Sequence, residues 1–336
     1  MNSTLGSLSA NLTTTTEIIY PKDSFTAALT KNIVSMLVWL ALSIINGSMV
    51  TTFLRHNFFY EDPRYIMFIY MVINDALQLS LVTALYVVSY AFSRIHASVC
   101  SVLIITAVTT TRNTTIILAS MAIERYIAIC KPLRHAQICT VRRTYIIIAL
   151  TWGVGFVPAL VDVIIVLATQ PIGFFSKGVF CFPPILYNTR YHAENVKVVQ
   201  ALYMSFVWLT LIYTYFMIFR TARSAKRDTA SAKKAQNTIL LHGAQLLLSM
   251  LSYITPLFNV VLISFFPIHR SKITFLNYLI TNIIPRLLSP LIYSVRDQKF
   301  AKHMSQYYSC KVILFKGGLK RRRLKCSSKR VCSLKG

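Results

Sequence analysis

The chain has 336 residues, of which 55% are hydrophobic and only 14% are charged, and its formal net charge is +26. Soluble domains carry charge on roughly a quarter of their residues, so this composition excludes an ordinary soluble protein and predicts a membrane protein. The excess of positive charge indicates membrane topology and attraction to anionic lipid headgroups. Nucleic-acid binding is the weaker interpretation of the same charge.

Seven segments are long and apolar enough to cross a hydrocarbon layer, which requires ~20 helical residues. They are Ile33–Leu54, Tyr65–Val88, Val99–Ile123, Tyr145–Leu167, Val198–Phe219, Ile239–Phe266 and Phe275–Val295. We therefore predict an all-α membrane protein built as a bundle of seven transmembrane helices. The segments leave no room for a separate soluble domain.

Basic residues predict the orientation of these helices. Most of the 36 Lys and Arg residues fall in the tail and in the loops on the side of residues 121–135. The positive-inside rule then places that side in the cytoplasm and the N-terminus outside the plasma membrane. Residues 1–30 form the predicted extracellular segment, which has no secretory signal pattern and carries glycosylation triplets at Asn2 and Asn11.

The first and second spans each carry a polar residue that lipid cannot satisfy. Asn46 lies beside Gly47 in the first span, and Asp75 lies near the middle of the second. A buried amide must find a polar partner, so Asn46 should face the bundle. Asp75 is either a functional residue or a structural member of a polar network between helices.

The centre of the third span is unusually polar, with a run of threonines around Arg112. Threonines in a membrane helix bond back to their own backbone, so they are poor indicators of function. Arg112 follows Cys100 by twelve residues, which is about 18 Å along the helix axis. It is too deep to reach the outer interface by extending its side chain, and it must face protein or water.

Cysteines are divided between the two predicted sides of the membrane. Cys100, at the outer end of the third span, and Cys181, in the longest outer loop, lie on the oxidising face where a disulfide can form. Such a bond would hold the loop over the mouth of the bundle, whereas the alternative is two unpaired small residues.

Prolines predict distortion in the last two spans. Pro256 should kink the sixth span, and Pro285 and Pro290 flank Arg286 in a seventh span that cannot be a regular helix. The membrane domain is predicted to cover residues 31–295. Residues 296–308 have the pattern of an amphipathic helix on the inner membrane surface, and 309–336 form a basic cytoplasmic tail suited to acidic lipid.

Architecture alone does not decide between a receptor, a channel and a transporter. Two halves with matching broken helices are not apparent, which weighs against a transporter. Nucleotide-binding glycine loops and the motifs HExxH and GxSxG are also absent from the sequence. We therefore expect no enzyme activity, no cofactor and no metal site.

Three ordered motifs carry a resemblance to a known family. Residues 121–135 read MAIERYIAICKPLRH, close to MAxDRYxAICxPLxY, and KAxxTxxxH is matched by Lys234, Ala235, Thr238 and His242. NPxIYSxR is matched by Pro290, Ile292, Tyr293, Ser294 and Arg296, with Ser289 in place of the asparagine. The chain resembles a rhodopsin-like (class A) G protein-coupled receptor, and within that class an odorant (olfactory) receptor, most like those of fish. It departs from the family pattern at Ser249–Ser252, where a FYGT-like patch is expected. It also has only Cys181 in the long outer loop, where mammalian odorant receptors usually have extra cysteines.

The resemblance implies a small-molecule odorant in the outer half of the bundle and a heterotrimeric G protein, of the stimulatory type that raises cAMP, at the inner face. Arrestin, a receptor kinase and membrane lipids are the further implied partners. The coupling switch would consist of Glu124, Arg125, Tyr126, Lys234, His242 and Tyr293. A receptor for a peptide, lipid or small metabolite is the alternative, and a channel or transporter is a weaker one.

Two inner sets of residues complete the prediction. The ligand pocket would be lined by Val108, Thr111, Arg112, Tyr203, Tyr253 and Asn282, and the internal polar network would consist of Asn46, Asp75, Arg286 and Ser289. We expect Asp75 and Arg286 to form an ion pair where related receptors often hold sodium. Arg112 is then a candidate counter-ion for an acidic odorant, against the alternative of ordinary hydrogen bonds to neighbouring threonines and backbone.

Overall fold

The computed structural model of the protein describes residues 25–91, 94–179, 181, 189–224, 247, 261–266, 269–288, 300 and 303. The helices in these ranges are α1 (Phe25–Arg55), α2 (Pro63–Ala91), α3 (Ala97–Cys130), the short α4 (Pro132–Ile138), α5 (Val141–Thr169), α6 (Arg190–Ser224) and α7 (Arg270–Tyr278). Two 3-10 turns, Asn57–Tyr60 and Ile172–Phe174, lie in the connections. Two short strands, β1 (Ile95–His96) and β2 (Gly178–Val179), pair antiparallel.

Five of the described helices are long and apolar enough to cross a membrane, and they correspond to the first five predicted spans. The sixth predicted span is described only at Leu247 and 261–266, and the seventh only as far as residue 288. The helices extend beyond the predicted segments, since α1 begins at Phe25 and α3 continues to Cys130. Hydropathy marks the part of a helix that lies in hydrocarbon, whereas backbone hydrogen bonding continues past it.

Local chemistry sets several helix boundaries. At the start of α2, Asp62 accepts a hydrogen bond from the backbone N–H of Arg64 at 3.0 Å, and Pro63 occupies the first helical position, where its missing N–H costs nothing. Thr140 caps α5 by accepting from the N–H of Arg143 at 3.4 Å. These caps fix the turns that connect α1 to α2 and α4 to α5.

Helix α3 is the centre of the bundle. In its most apolar stretch of 18 residues, 61% of the residues are buried, compared with 39% for α2 and fewer for the other spanning helices. Helix α5 approaches it closely at Gly155, where an added Cβ would overlap Oδ1 of Asn113. A central helix that contacts α2, α5 and α6 is the element through which a change at one end of the bundle can reach the other.

The two ends of the bundle are held by different contacts. At one end, the predicted disulfide between Cys100 and Cys181 is confirmed, with a Cα–Cα distance of 5.5 Å, and the pairing of β1 with β2 lies beside it. We call this the disulfide end. At the other end, which we call the Glu124 end, Phe300 packs against Phe59 and Phe68, and all three side chains are fully buried.

The seventh helix is distorted, as its prolines predict. A π-helical turn, Leu279–Ile283, follows α7 directly, and residues 284–288 return to α-helix. The α-helical donor to the carbonyl of Thr281 would be residue 285, a proline without an N–H. Nη1 of Arg286 donates to that carbonyl instead, at 3.1 Å.

Candidate functional site

The Glu124 end of α3 carries a small ionic cluster. Glu124 is only 6% exposed, and its two carboxylate oxygens face different partners. Oε1 lies 3.0 Å from Nε2 of His135 on α4, and Oε2 lies 3.4 Å from Nε of Arg125. We call Glu124, Arg125 and His135 the inner cluster.

Arg125 is held loosely within the inner cluster. Its contact with Glu124 is an ionic approach without hydrogen-bond geometry, and its buried Nε and Nη2 have no hydrogen-bond acceptor among the described residues. A guanidinium with unused donors can exchange one partner for another at low cost. The arrangement therefore suits a switch better than a permanent structural pair.

Neighbouring side chains join this end of α3 to α6. The hydroxyl of Tyr126 lies 3.5 Å from that of Tyr213, and Sγ of Cys130 lies 3.3 Å from Oγ1 of Thr221. The other predicted coupling residues, Lys234, His242 and Tyr293, lie outside the described residues. The structure therefore describes only the predicted coupling residues on α3, which are Glu124, Arg125 and Tyr126.

A second group of polar side chains lies between α2, α3 and the helical segment after α7. It consists of Asn74, Asp75, Gln78, Thr114 and Arg286, and we call it the polar layer. Oγ1 of Thr114 donates to Oδ1 of Asp75 at 2.8 Å, and Nδ2 of Asn74 donates to Oγ1 of Thr114 at 2.8 Å. Nη2 of Arg286 donates to Oε1 of Gln78 at 2.5 Å.

Asp75 and Arg286, the predicted ion pair, are connected in this structure through other side chains. Thr114 and Gln78 lie between the two groups, since Thr114 donates to Asp75, Arg286 donates to Gln78, and Oγ1 of Thr114 is 3.4 Å from Oε1 of Gln78. The other predicted members of this network behave differently. Asn46 is buried, but its Nδ2 has no hydrogen-bond partner among the described residues, and Ser289 lies outside them.

The polar layer continues toward the predicted ligand pocket through Gln78. Its Nε2 donates to Oγ1 of Thr111 at 2.6 Å, and Thr111 in turn donates to the carbonyl of Ala107. Thr111 is adjacent to Arg112 in α3. Hydrogen bonds thus connect Thr111 through Gln78 to Arg286, and through Gln78 and Thr114 to Asp75.

Arg112 itself is buried between α3 and α6. It is 8% exposed, and its guanidinium lies 5.8 Å from the ring centroid of Tyr203. The hydroxyl of Tyr203 donates to the carbonyl of Val154 on α5 at 2.6 Å, which fixes the ring. Arg112 and Tyr203 are the two predicted pocket residues that the structure brings together.

The remaining predicted pocket residues are not gathered around this pair. Val108 is 36% exposed and is not enclosed by the described residues. Nδ2 of Asn282 donates to Oγ1 of Thr281 at 3.2 Å, within the π-helical turn. Tyr253 lies outside the described residues.

Three side chains, His135, Gln78 and Asn195, make contacts that were not anticipated from the sequence. His135 is brought to Glu124 by the turn into α4, and Gln78 links Arg286 to Thr111. In addition, Nδ2 of Asn195 on α6 donates to Oδ1 of the buried Asp162 on α5 at 2.7 Å. The sequence did indicate that Asp162 would have a polar contact, because an ionisable residue within an apolar span requires a partner.

Comparisons with known proteins point to one family. Residues 45–293 match the family described as 7 transmembrane receptor (rhodopsin family). The chain is 31% identical over 284 residues to Odorant receptor 131-2 of Danio rerio, an alignment that covers 84% of this chain and 87% of the relative.

Two human proteins are similar over a shorter part of the chain. The identity is 26% over 211 residues with Olfactory receptor 4K15, covering 58% of this chain and 59% of that protein. It is again 26% over 211 residues with Olfactory receptor 11H7, covering 55% of this chain and 60% of that protein. The chain thus spans less than two thirds of the length of these human relatives.

Proposed function

The chain belongs to the rhodopsin family of seven-transmembrane receptors, which are signalling receptors and not enzymes, and we propose that it is an odorant receptor that activates a heterotrimeric G protein. The family match and the apolar helices make it a multi-pass protein of the cell membrane. The observation that carries the proposal is the inner cluster at the end of the most buried helix, together with the similarity to odorant receptors.

The inner cluster would be the resting state of the coupling switch. Glu124 holds Arg125 by charge and holds α4 through His135. On activation, Arg125 would leave Glu124 and offer its free donors to the G protein, with Tyr126, Lys234, His242 and Tyr293 forming the rest of that surface. This assignment puts the Glu124 end in the cytoplasm and the disulfide end outside the cell, with a G protein of the stimulatory class that raises cAMP.

The ligand would bind between the disulfide end and the polar layer, near Arg112 and Tyr203. Binding can activate the receptor only if the ligand has different affinities for the resting and active arrangements of the helices. The hydrogen bonds that Gln78 donates to Thr111 and that Arg286 donates to Gln78 support a route by which ligand binding would favour one of the two arrangements. A direct ion pair between Asp75 and Arg286 in one of the two arrangements remains a prediction.

Several further features belong to the same proposal. They are an N-glycosylated extracellular segment at Asn2 and Asn11, a membrane-surface helix at 296–308 and a basic tail at 309–336 that attracts acidic lipid. Arrestin and a receptor kinase would act at the same cytoplasmic surface. The burial of Phe300 against Phe59 supports the surface helix as part of the bundle.

The proposal is tested by expressing the full chain in cells that contain an olfactory-type stimulatory G protein and measuring cAMP against a panel of odorants. We expect at least one odorant to raise cAMP only in cells with the receptor at the surface. A ligand-gated current or substrate flux that persists without G protein would instead identify a channel or transporter. A response confined to peptides or lipids would identify a different class of receptor.

A further inference from the structure

Three lysine or arginine side chains are buried among the described residues, and their surroundings differ. Lys31 donates to Oγ of Ser271 at 2.5 Å. Arg286 has hydrogen bonds to Gln78 and to the carbonyl of Thr281, and the charge of Asp75 is near. Arg112 makes no hydrogen bond to any described residue, and its Nη1 is completely buried.

The neighbouring threonines do not satisfy Arg112, which removes the simplest alternative. Thr106, Thr110 and Thr111 each donate to a backbone carbonyl one turn earlier in α3. Acidic groups on the adjacent helices are also engaged elsewhere. Asp162 accepts from Asn195 and lies about 10 Å nearer the disulfide end than Gly155, seven residues along α5.

The same two turns of α3 contain other polar atoms without partners. Oγ1 of Thr109 and both polar side-chain atoms of Asn113 are buried and have no hydrogen-bond partner among the described residues. These two side chains face α5 at Gly155, whereas Arg112 faces Tyr203 on α6. The α5 side is closely packed at Gly155, so any polar occupant would lie on the Arg112 side of α3, where a buried charge without a partner is costly.

We infer that Arg112 is the anchor of an anion subsite, and that the ligand is a small organic acid whose carboxylate pairs with the Arg112 guanidinium beside the Tyr203 ring. This inference rests on the proposed function and specifies its ligand class. A carboxylate matches the paired donors of a guanidinium and carries the one negative charge that neutralises it. A doubly charged phosphate would leave a net negative charge buried in the bundle.

The ring of Tyr203 gives the subsite its shape. Its hydroxyl donates to the Val154 carbonyl, and this hydrogen bond holds the ring beside the Arg112 guanidinium, which lies 5.8 Å from the ring centroid. A weak attraction between cation and ring holds the charge in position without neutralising it. The ligand carboxylate would therefore supply the negative charge that none of the described residues places beside Arg112.

The test compares straight-chain carboxylic acids with their methyl esters, primary alcohols and primary amines of equal chain length, using cAMP as the response. We expect the acids to activate at concentrations about 100-fold lower than their esters, because losing one partner of a buried charge pair has an effect of this size. Arg112→Gln should raise the half-maximal concentration of the acids by about 100-fold. Arg112→Gln should also abolish the preference for acids over alcohols of equal chain length, and Arg112→Lys should retain part of the response to acids.

Arg190→Gln provides the matched control, because Arg190 is an exposed arginine at the start of α6. It should not change the response to acids. If Arg112→Gln does not reach the cell surface, the potencies of acid and ester on the unmodified receptor still test whether the site binds an anion. Equal potency of acid and ester, or activation by amines in preference to acids, would overturn the anion subsite while leaving the receptor function intact. Failure of every acid in the series, on a receptor that another odorant of the panel activates, would likewise overturn the anion subsite alone, whereas failure of the whole odorant panel would overturn the proposed function.

Discussion

Replacing Glu124 by glutamine should activate the receptor in the absence of ligand. The substitution keeps the size of the side chain but removes the charge that faces both Arg125 and His135. Because Glu124 is 6% exposed, solvent screens these contacts little. The variant therefore weakens the resting arrangement specifically, provided that the inner cluster holds it.

The size of the effect follows from the two contacts. Hydrogen bonds and close contacts to a buried charge contribute about 1.5–3 kcal/mol, and the glutamine oxygen keeps part of this. A loss in that range raises the ratio of active to resting receptor by a factor of roughly 10 to 150. If the active state is populated at about 1% at rest, it would rise to between about 10% and 60%.

The assay is ligand-free cAMP, normalised to the amount of receptor at the cell surface. Glu194→Gln is the matched control, because Glu194 forms an exposed ion pair with Lys197 far from the inner cluster. We expect no change in basal cAMP for that control. Basal cAMP of Glu124→Gln at or below the level of the unmodified receptor, at equal surface expression, would refute the role of the inner cluster as a resting-state lock.

Cys139 gives an independent chemical readout of the same substitution. Burial of the thiol and, after it, the nearby Glu124 carboxylate raise the pKa of Cys139, whereas the Arg143 guanidinium lowers it. Only the thiolate is alkylated readily. Glu124→Gln should therefore lower the pKa of Cys139 and speed its alkylation at fixed neutral pH, and Arg143→Gln should slow it. Alkylation of the Cys139 peptide is measured by mass spectrometry, and an unchanged rate in both variants would contradict the described proximity.

The remaining predictions concern stability. Asp75→Asn and Arg286→Gln should each reduce surface expression and thermal stability. The stability loss of the double variant should be about 1–3 kcal/mol smaller than the sum of the two single losses, because the two side chains are coupled. Losses that add would reject this coupling. Cys100→Ser and Cys181→Ser should each cost between about 3 and 5 kcal/mol, and the double variant should cost no more than either single one, because one bond is broken in every case. Gly155→Ala should cost about 1–3 kcal/mol of stability, because its Cβ would overlap buried Asn113. Unchanged stability would show that α5 can move away from α3 at this position.

Features that depend on local composition could be predicted from the sequence. Apolar runs located the first five spans, and Pro285 predicted a distortion that appears as the π-helical turn beside it. The threonine run in α3 bonds to its own backbone, as expected for threonine in a membrane helix. The disulfide between Cys100 and Cys181 followed from two cysteines on the same predicted face.

Features that depend on the register between helices could not be predicted. Gln78 follows Asp75 by one turn of α2, but only the packed bundle shows that it contacts both Arg286 and Thr111. His135 reaches Glu124 because the chain turns sharply at Lys131 into α4, and hydropathy carries no signal for that turn. Likewise, the depth of Arg112 was apparent from its position in the span, whereas its lack of a partner is a property of the packed helices.

The most direct test of the central claim is the response of Arg125 variants to an odorant that activates the unmodified receptor. Arg125→Glu would place a second negative charge beside Glu124 and remove the donors offered to the G protein. We predict that it reaches the cell surface, binds the odorant and raises no cAMP, while Arg125→Lys keeps a reduced response. A full cAMP response from Arg125→Glu at equal surface expression would contradict the assignment of this end of α3 as the coupling switch.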